Sequence, residues 1–115
     1  MPLVYKVVSQ QEWADAERDG VFLGAAIDLR DGYIHLSNSE QVAQTVALYF
    51  ADRDDLVLLT LEAERLGAAL KWETSRGGAL FPHLYGKLPL HDIVSARRFS
   101  SREPWWLQKP TAAGG

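Results

Sequence analysis

The run Leu56-Val57-Leu58-Leu59-Thr60-Leu61 constrains this chain more than any other segment. Its apolar residues do not alternate with polar ones, so an extended backbone here leaves neither face for water. Such a segment belongs in the interior of a sheet covered on both sides. It is far short of the roughly 20 apolar residues that a membrane span needs. The rest of the chain must therefore provide partner strands and covering layers.

The flanking patterns supply both. Residues 4–8 read as a first strand, rich in β-branched and aromatic side chains. Ser9-Gln10-Gln11-Glu12 is a capping box that predicts a helix over 10–18, with Trp13 and Ala16 inward and Asp19-Gly20 as its stop. Residues 21–32 show neither period, are interrupted by Gly24, and end in the turn signal Asp31-Gly32. They are expected as a packed loop with room for one helical turn.

Residues 33–37 alternate, with Tyr33, His35 and Ser37 on one face and Ile34 and Leu36 on the other, as in a half-buried strand. Ser37-Asn38-Ser39-Glu40 is a second capping box, predicting a helix over 40–50 whose Val42, Val46, Tyr49 and Phe50 form a buried stripe. Asp52-Arg53-Asp54-Asp55 is a solvated connection, and residues 62–67 read as a short turn or one helical turn. Residues 70–74, 84–88 and 93–99 read as further strands, with Ser75-Arg76-Gly77-Gly78-Ala79 the most flexible internal stretch. A length of 115 residues suits one α+β domain over 1–100, of mixed or antiparallel strands with two main helices. A tail over 101–115 follows, and its last residues have the composition of disorder.

Charge and composition narrow the function. A net charge of −3 argues against a broad electrostatic grip on nucleic acid, and Arg97-Arg98 with Arg102 reads as a solvated strand end. The absence of cysteine excludes disulfides, thiolate catalysis and Cys-based zinc sites. No signal-peptide pattern opens the chain and no apolar run reaches membrane length, so a soluble cytoplasmic protein is expected. Monomer and homodimer both suit it, since no apolar stripe demands a partner.

Two of the three histidines sit inside apolar, aromatic runs, Tyr33-Ile34-His35-Leu36-Ser37 and Phe81-Pro82-His83-Leu84-Tyr85-Gly86. Such a histidine is either a satisfied core hydrogen bond or a working acid–base group. Around His35, the helix start at Ser37, Asn38 and Ser39 offers donors for an anion, or merely caps a helix. Phe81 and Tyr85 flank His83 as pocket walls for a planar ring or sugar, or as a core plug. Glu73, beside Trp72 on a strand, is a base or cation stabiliser, or an exposed carboxylate paired with Lys71 or Arg76. Arg76, in the glycine loop, is placed to hold a phosphate. His35, His83 and Glu73 are metal-ligand types, but no HExxH or similar spacing supports a metal, and no Ser-His-Asp arrangement or nucleophile elbow is present. Trp105-Trp106 reads as a hydrophobic clasp or partner contact.

Several of these segments resemble the domain of unknown function 952 proteins over residues 3–99. The specific part is Ile34-His35-Leu36-Ser37 and Phe81-Pro82-His83-Leu84-Tyr85-Gly86. Val4-Tyr5-Lys6, Trp13, Val42, Thr45, Leu56-Val57-Leu58-Leu59, Trp72-Glu73, Leu88 and Val94 add weaker matches. The resemblance implies a distant likeness to the ADP-ribosyltransferase-like fold, a split pair of sheets cradling NAD. In that fold a strand histidine contacts a ribose, a tyrosine stacks on nicotinamide, and a glutamate stabilises the sugar cation. By position the resemblance implies His35 and Glu73 for two of these roles and leaves the tyrosine unassigned between Tyr49 and Tyr85.

Together these readings predict a cleft with His35, Glu73 and His83 as chemical groups and Ser37, Asn38, Ser39, Arg76, Phe81 and Tyr85 as ligand-binding groups. It would take a small, phosphorylated or nucleotide-like ligand and transfer or cleave it. The alternative is a non-catalytic ligand-binding or protein-interaction module.

Overall fold

Strand β1 (Leu3–Ser9) runs straight into helix α1 (Gln10–Asp19) because Ser9 serves both. Its hydroxyl accepts the Glu12 amide at 3.0 Å, and the Glu12 carboxylate accepts the Ser9 amide at 2.7 Å, the expected reciprocal cap. The computed structural model describes residues 2–103, so Trp105-Trp106 and the end of the tail lie outside the described residues.

The segment expected as a loop holds two elements, β2 (Val21–Phe22) and α2 (Ala26–Asp31). No side chain at Ala25 can cap this helix. Asp28 does part of that work from inside, its carboxylate accepting the Ala25 amide at 2.7 Å. Gly32, at φ 86°, then ends the helix in the left-handed region, where a side chain would be strained.

The strand expected over 33–37 divides into β3 (Ile34–His35) and β4 (Ser37–Asn38), which pair with different partners. Helix α3 (Val42–Tyr49) begins later than expected, and its capping box is not made by Ser37. Asn38 Oδ1 instead accepts the Glu40 and Gln41 amides, each at 2.9 Å, while Gln41 Oε1 accepts the Asn38 amide at 3.0 Å. Val42 and Val46 are buried as expected, but Tyr49 is 62% exposed.

Strand β5 (Leu56–Glu62), helix α4 (Ala63–Leu66) and strand β6 (Leu70–Thr74) follow. Strand β7 is Leu80–Leu84 rather than 84–88, so His83 lies inside a strand. The expected 84–88 strand survives only as β8 (Leu88–Pro89), and β9 (Ile93–Phe99) closes the fold.

The strands form three sheets in the orders β4-β1-β5-β9, β3-β7-β6 and β2-β8, and every pairing is antiparallel. Strand β5 sits inside the first sheet and is covered on both faces. Val57, Leu59 and Leu61 pack with Val4, Val8, Ile34, Leu36, Leu84 and Leu88. Leu56 and Leu58 pack on the other side with Tyr5, Val7, Val42, Val46 and Phe99. Burying each such side chain contributes about 1.5–3 kcal/mol, which is why an unalternating strand is stable here.

The crossing from β3 to β4 joins the two larger sheets and creates the site. Leu36, between them, donates its amide to the Pro82 carbonyl at 3.0 Å. Pro82 lies in the middle strand of its sheet, where a missing N–H would usually break the ladder. The nitrogen and carbonyl of one strand residue point the same way, so the gap faces β3 just beyond the last β3–β7 pair, His35 with His83. There the chain is already leaving the sheet.

Candidate functional site

Where β3 turns into β4, a cavity of about 220 Å³ opens between β1, α3, β7 and the loop 75–79. His35, Ser37, Arg76, Phe81 and His83 line it, together with Thr45, Tyr49 and Leu36. His35 and His83 are cross-strand partners with ring centroids 5.6 Å apart. Tyr33 stacks on His83 at 4.1 Å and meets His35 at 4.5 Å and Tyr85 at 5.2 Å, so one phenol fixes both imidazole planes.

The two imidazoles have different partners. His35 Nδ1 lies 2.7 Å from Asp28 Oδ1, and Nε2 lies 3.0 Å from Asp31 Oδ2. Asp28 also accepts the His35 amide at 3.0 Å and forms a buried pair with Lys6 at 2.9 Å. Burial pushes the Asp28 carboxyl up, but the Lys6 ammonium and the bonds from His35 and Lys6 outweigh it and hold it below the usual carboxylate range.

His83 Nδ1 lies 2.8 Å from Glu73 Oε1, and the Tyr85 hydroxyl donates to the same oxygen at 2.7 Å. The Tyr85 bond, then the His83 bond, holds Glu73 below its usual range, and Glu73 pushes Tyr85 up to about 12. His83 is 3% exposed, yet its Nε2 has no hydrogen-bond partner among the described residues. His83 lines the cavity.

Arg76 reaches back from the β6–β7 loop, whose Gly77 and Gly78 take φ 68° and 79°. Its guanidinium lies 4.8 Å from the Phe81 ring centroid and 5.7 Å from that of Tyr49. Nη2 donates to Thr45 Oγ1 at 3.3 Å, and that oxygen also meets Ser37 Oγ at 2.9 Å. Among the described residues no carboxylate pairs with Arg76.

Of the residues expected in the cleft, His35, Ser37, Arg76, Phe81 and His83 line one cavity. Glu73 and Tyr85 do not line it but act on it through His83. Asn38 and Ser39 do not line it either. The amides at residues 40 and 41 are taken up by Asn38, which removes the expected anion seat at that turn. Lys6, Asp28, Tyr33 and Thr45 complete the arrangement and were not anticipated. Two signals were available: a lysine amid the apolar strand Val4-Tyr5-Lys6-Val7-Val8, where a charge needs a buried counter-ion, and the alternation that puts Tyr33 on the His35 face.

Among the described residues no three His, Asp or Glu side chains converge to hold a metal ion, and no helix is long and apolar enough to cross a membrane.

Fold and site define a small α+β protein with a histidine-bearing cleft between antiparallel sheets. The chain belongs to the DUF952 family, whose description is "Protein of unknown function" and whose model matches residues 7–96. It is similar to the crystal structure of protein CC0527 from Caulobacter crescentus, at 50% identity and a TM-score of 0.81, over 84% of each chain. The solution NMR structure of CC0527 is 49% identical with a TM-score of 0.78, over 85% of this chain and 84% of that one. No curated protein matches the chain. None of these likenesses extends to the ADP-ribosyltransferase-like fold.

Proposed function

We propose that the cavity binds a small phosphorylated or nucleotide-like ligand, and that His83 acts on it as an acid–base group in a transfer or hydrolysis. The observation that carries this reading is Arg76. Its guanidinium is held over two aromatic rings at the cavity with no carboxylate partner among the described residues, and phosphate matches its planar fork of donors. Ser37 and Thr45 supply hydroxyls beside it.

A nitrogen with a free lone pair, oriented through its other nitrogen by a carboxylate, is the arrangement used for general acid–base work. Glu73, committed to His83 and Tyr85, serves in this reading to orient the base rather than to meet a sugar cation. NAD enters only through the family resemblance. An apolar cavity of about 150 Å³ accepts benzene, so about 220 Å³ encloses only a fraction of a dinucleotide.

Thermal unfolding with inorganic phosphate, sugar phosphates and nucleoside monophosphates tests the reading. A saturable rise of about 2.7 kcal/mol at a hundredfold excess over Kd is expected for a true ligand, and its loss in Arg76→Gln. No stabilisation by any phosphorylated compound, or equal stabilisation of the variant, overturns it.

A further inference from the structure

The two ends of the cavity differ in hydrogen-bond polarity. Arg76 is a donor at every nitrogen, so whatever meets it must accept. His83 presents the reverse. Glu73 Oε1 already accepts the Tyr85 hydroxyl, so it faces His83 Nδ1 as an acceptor too, and the ring proton belongs on Nδ1. In the neutral imidazole Nε2 then carries a lone pair, in a ring that is 3% exposed and stacked on Tyr33.

The spacing between the two ends is short. Phe81, beneath Arg76, and His83 are two residues apart on one face of β7, about 6.6 Å along the strand. The cavity that both ends line holds about 220 Å³, not much more than the roughly 150 Å³ that accepts benzene, so a ligand bridging them is small. Leu36, Phe81 and Tyr49 wall that interval with apolar surface.

We infer that the ligand is a short hydroxylated phosphate monoester, of polyol- or sugar-phosphate size, whose phosphate sits on Arg76 and whose hydroxyl donates its proton to His83 Nε2. This rests on the reading that the cavity binds phosphate. It adds that selectivity comes from a buried acceptor, which an analogue without a donor leaves unpaired.

Calorimetric titration with three matched probes tests it: 2-hydroxyethyl phosphate, n-propyl phosphate, in which a methyl replaces the hydroxyl, and 2-methoxyethyl phosphate, which can only accept. The native protein is expected to bind the hydroxyl compound about tenfold tighter than the other two. His83→Phe, which keeps a ring under Tyr33, should erase the difference. Glu73→Leu keeps His83 and removes the acceptor that holds the ring proton on Nδ1. Nε2 can then carry the proton, and the methoxy compound should gain on n-propyl phosphate. Equal binding of all three probes to the native protein overturns this inference and leaves the phosphate site standing. Binding of none of them overturns both.

Discussion

His35 and His83 face each other across one strand pair, yet they are built in opposite ways. The His35 side chain is 28% exposed, and both of its nitrogens are tied to carboxylates. The His83 side chain is 4% exposed, and only one of its nitrogens is tied. Exposure alone would favour His35 as the acid–base group. The proposal for His83 rests instead on Nε2, which has no hydrogen-bond partner among the described residues, whereas both His35 nitrogens are committed.

The His35 cluster is a staple. Asp28 joins β1 through Lys6, starts α2 through the Ala25 amide and fixes β3 through His35. The His83 cluster joins only neighbours on one sheet, β6 and the end of β7.

The sharpest way to break this contrast is Asp28→Asn. It leaves the Lys6 ammonium buried and unpaired, and a loss of about 3–5 kcal/mol in denaturant unfolding is expected. A loss under about 1 kcal/mol would mean that the cluster is not structural. The carboxyl of Asp28 is held below its ordinary range in the fold, so its contribution is present above the ordinary carboxylate value, near pH 4, and disappears as pH falls through the folded value. Native protein should therefore lose stability in acid more steeply than Asp28→Asn.

Next in size is the pair itself. His35→Ala removes the imidazole that bridges Asp28 and Asp31 and is expected to cost about 1–3 kcal/mol. His83→Phe should stay within about 1 kcal/mol while losing its discrimination among the phosphate probes. Equal destabilisation by the two variants would collapse the distinction. Arg76→Gln should shift stability by under about 0.5 kcal/mol while abolishing stabilisation by phosphate.

The smallest effect is expected from Tyr85→Phe. Removing the larger of the bonds to Glu73 should raise the Glu73 carboxyl toward its ordinary range, as followed by carboxyl NMR titration. In native protein, ultraviolet titration should show Tyr85 ionising only near pH 12.

Much of the frame was legible in the residues. The unalternating run at 56–61, the Ser9–Glu12 cap and the strand at 70–74 all depend on neighbours within a few positions. The alternation at 33–37 correctly buried Ile34 and Leu36. Helix α2 was legible only as room for one helical turn, because its capping oxygen comes from within, on Asp28, behind an alanine that carries no signal. The shift from 84–88 to β7 was hidden by Pro82, tolerable in a middle strand only because β3 ends beside it. The histidines and Arg76 stood out as candidates, but not what each would touch.

By itself, the sequence determined which segments extend or coil and which side chains seek the interior, since periodicity and capping act over a turn or two of chain. The tertiary structure decided how charges and valences are paired. Lys6 meets Asp28 across 22 positions, Thr45 meets Arg76 across 31, and Glu73 meets His83 through the register of a hairpin. Pairing is set by distance in space, and a hydrogen bond is satisfied or left open only once the sheets have closed around it.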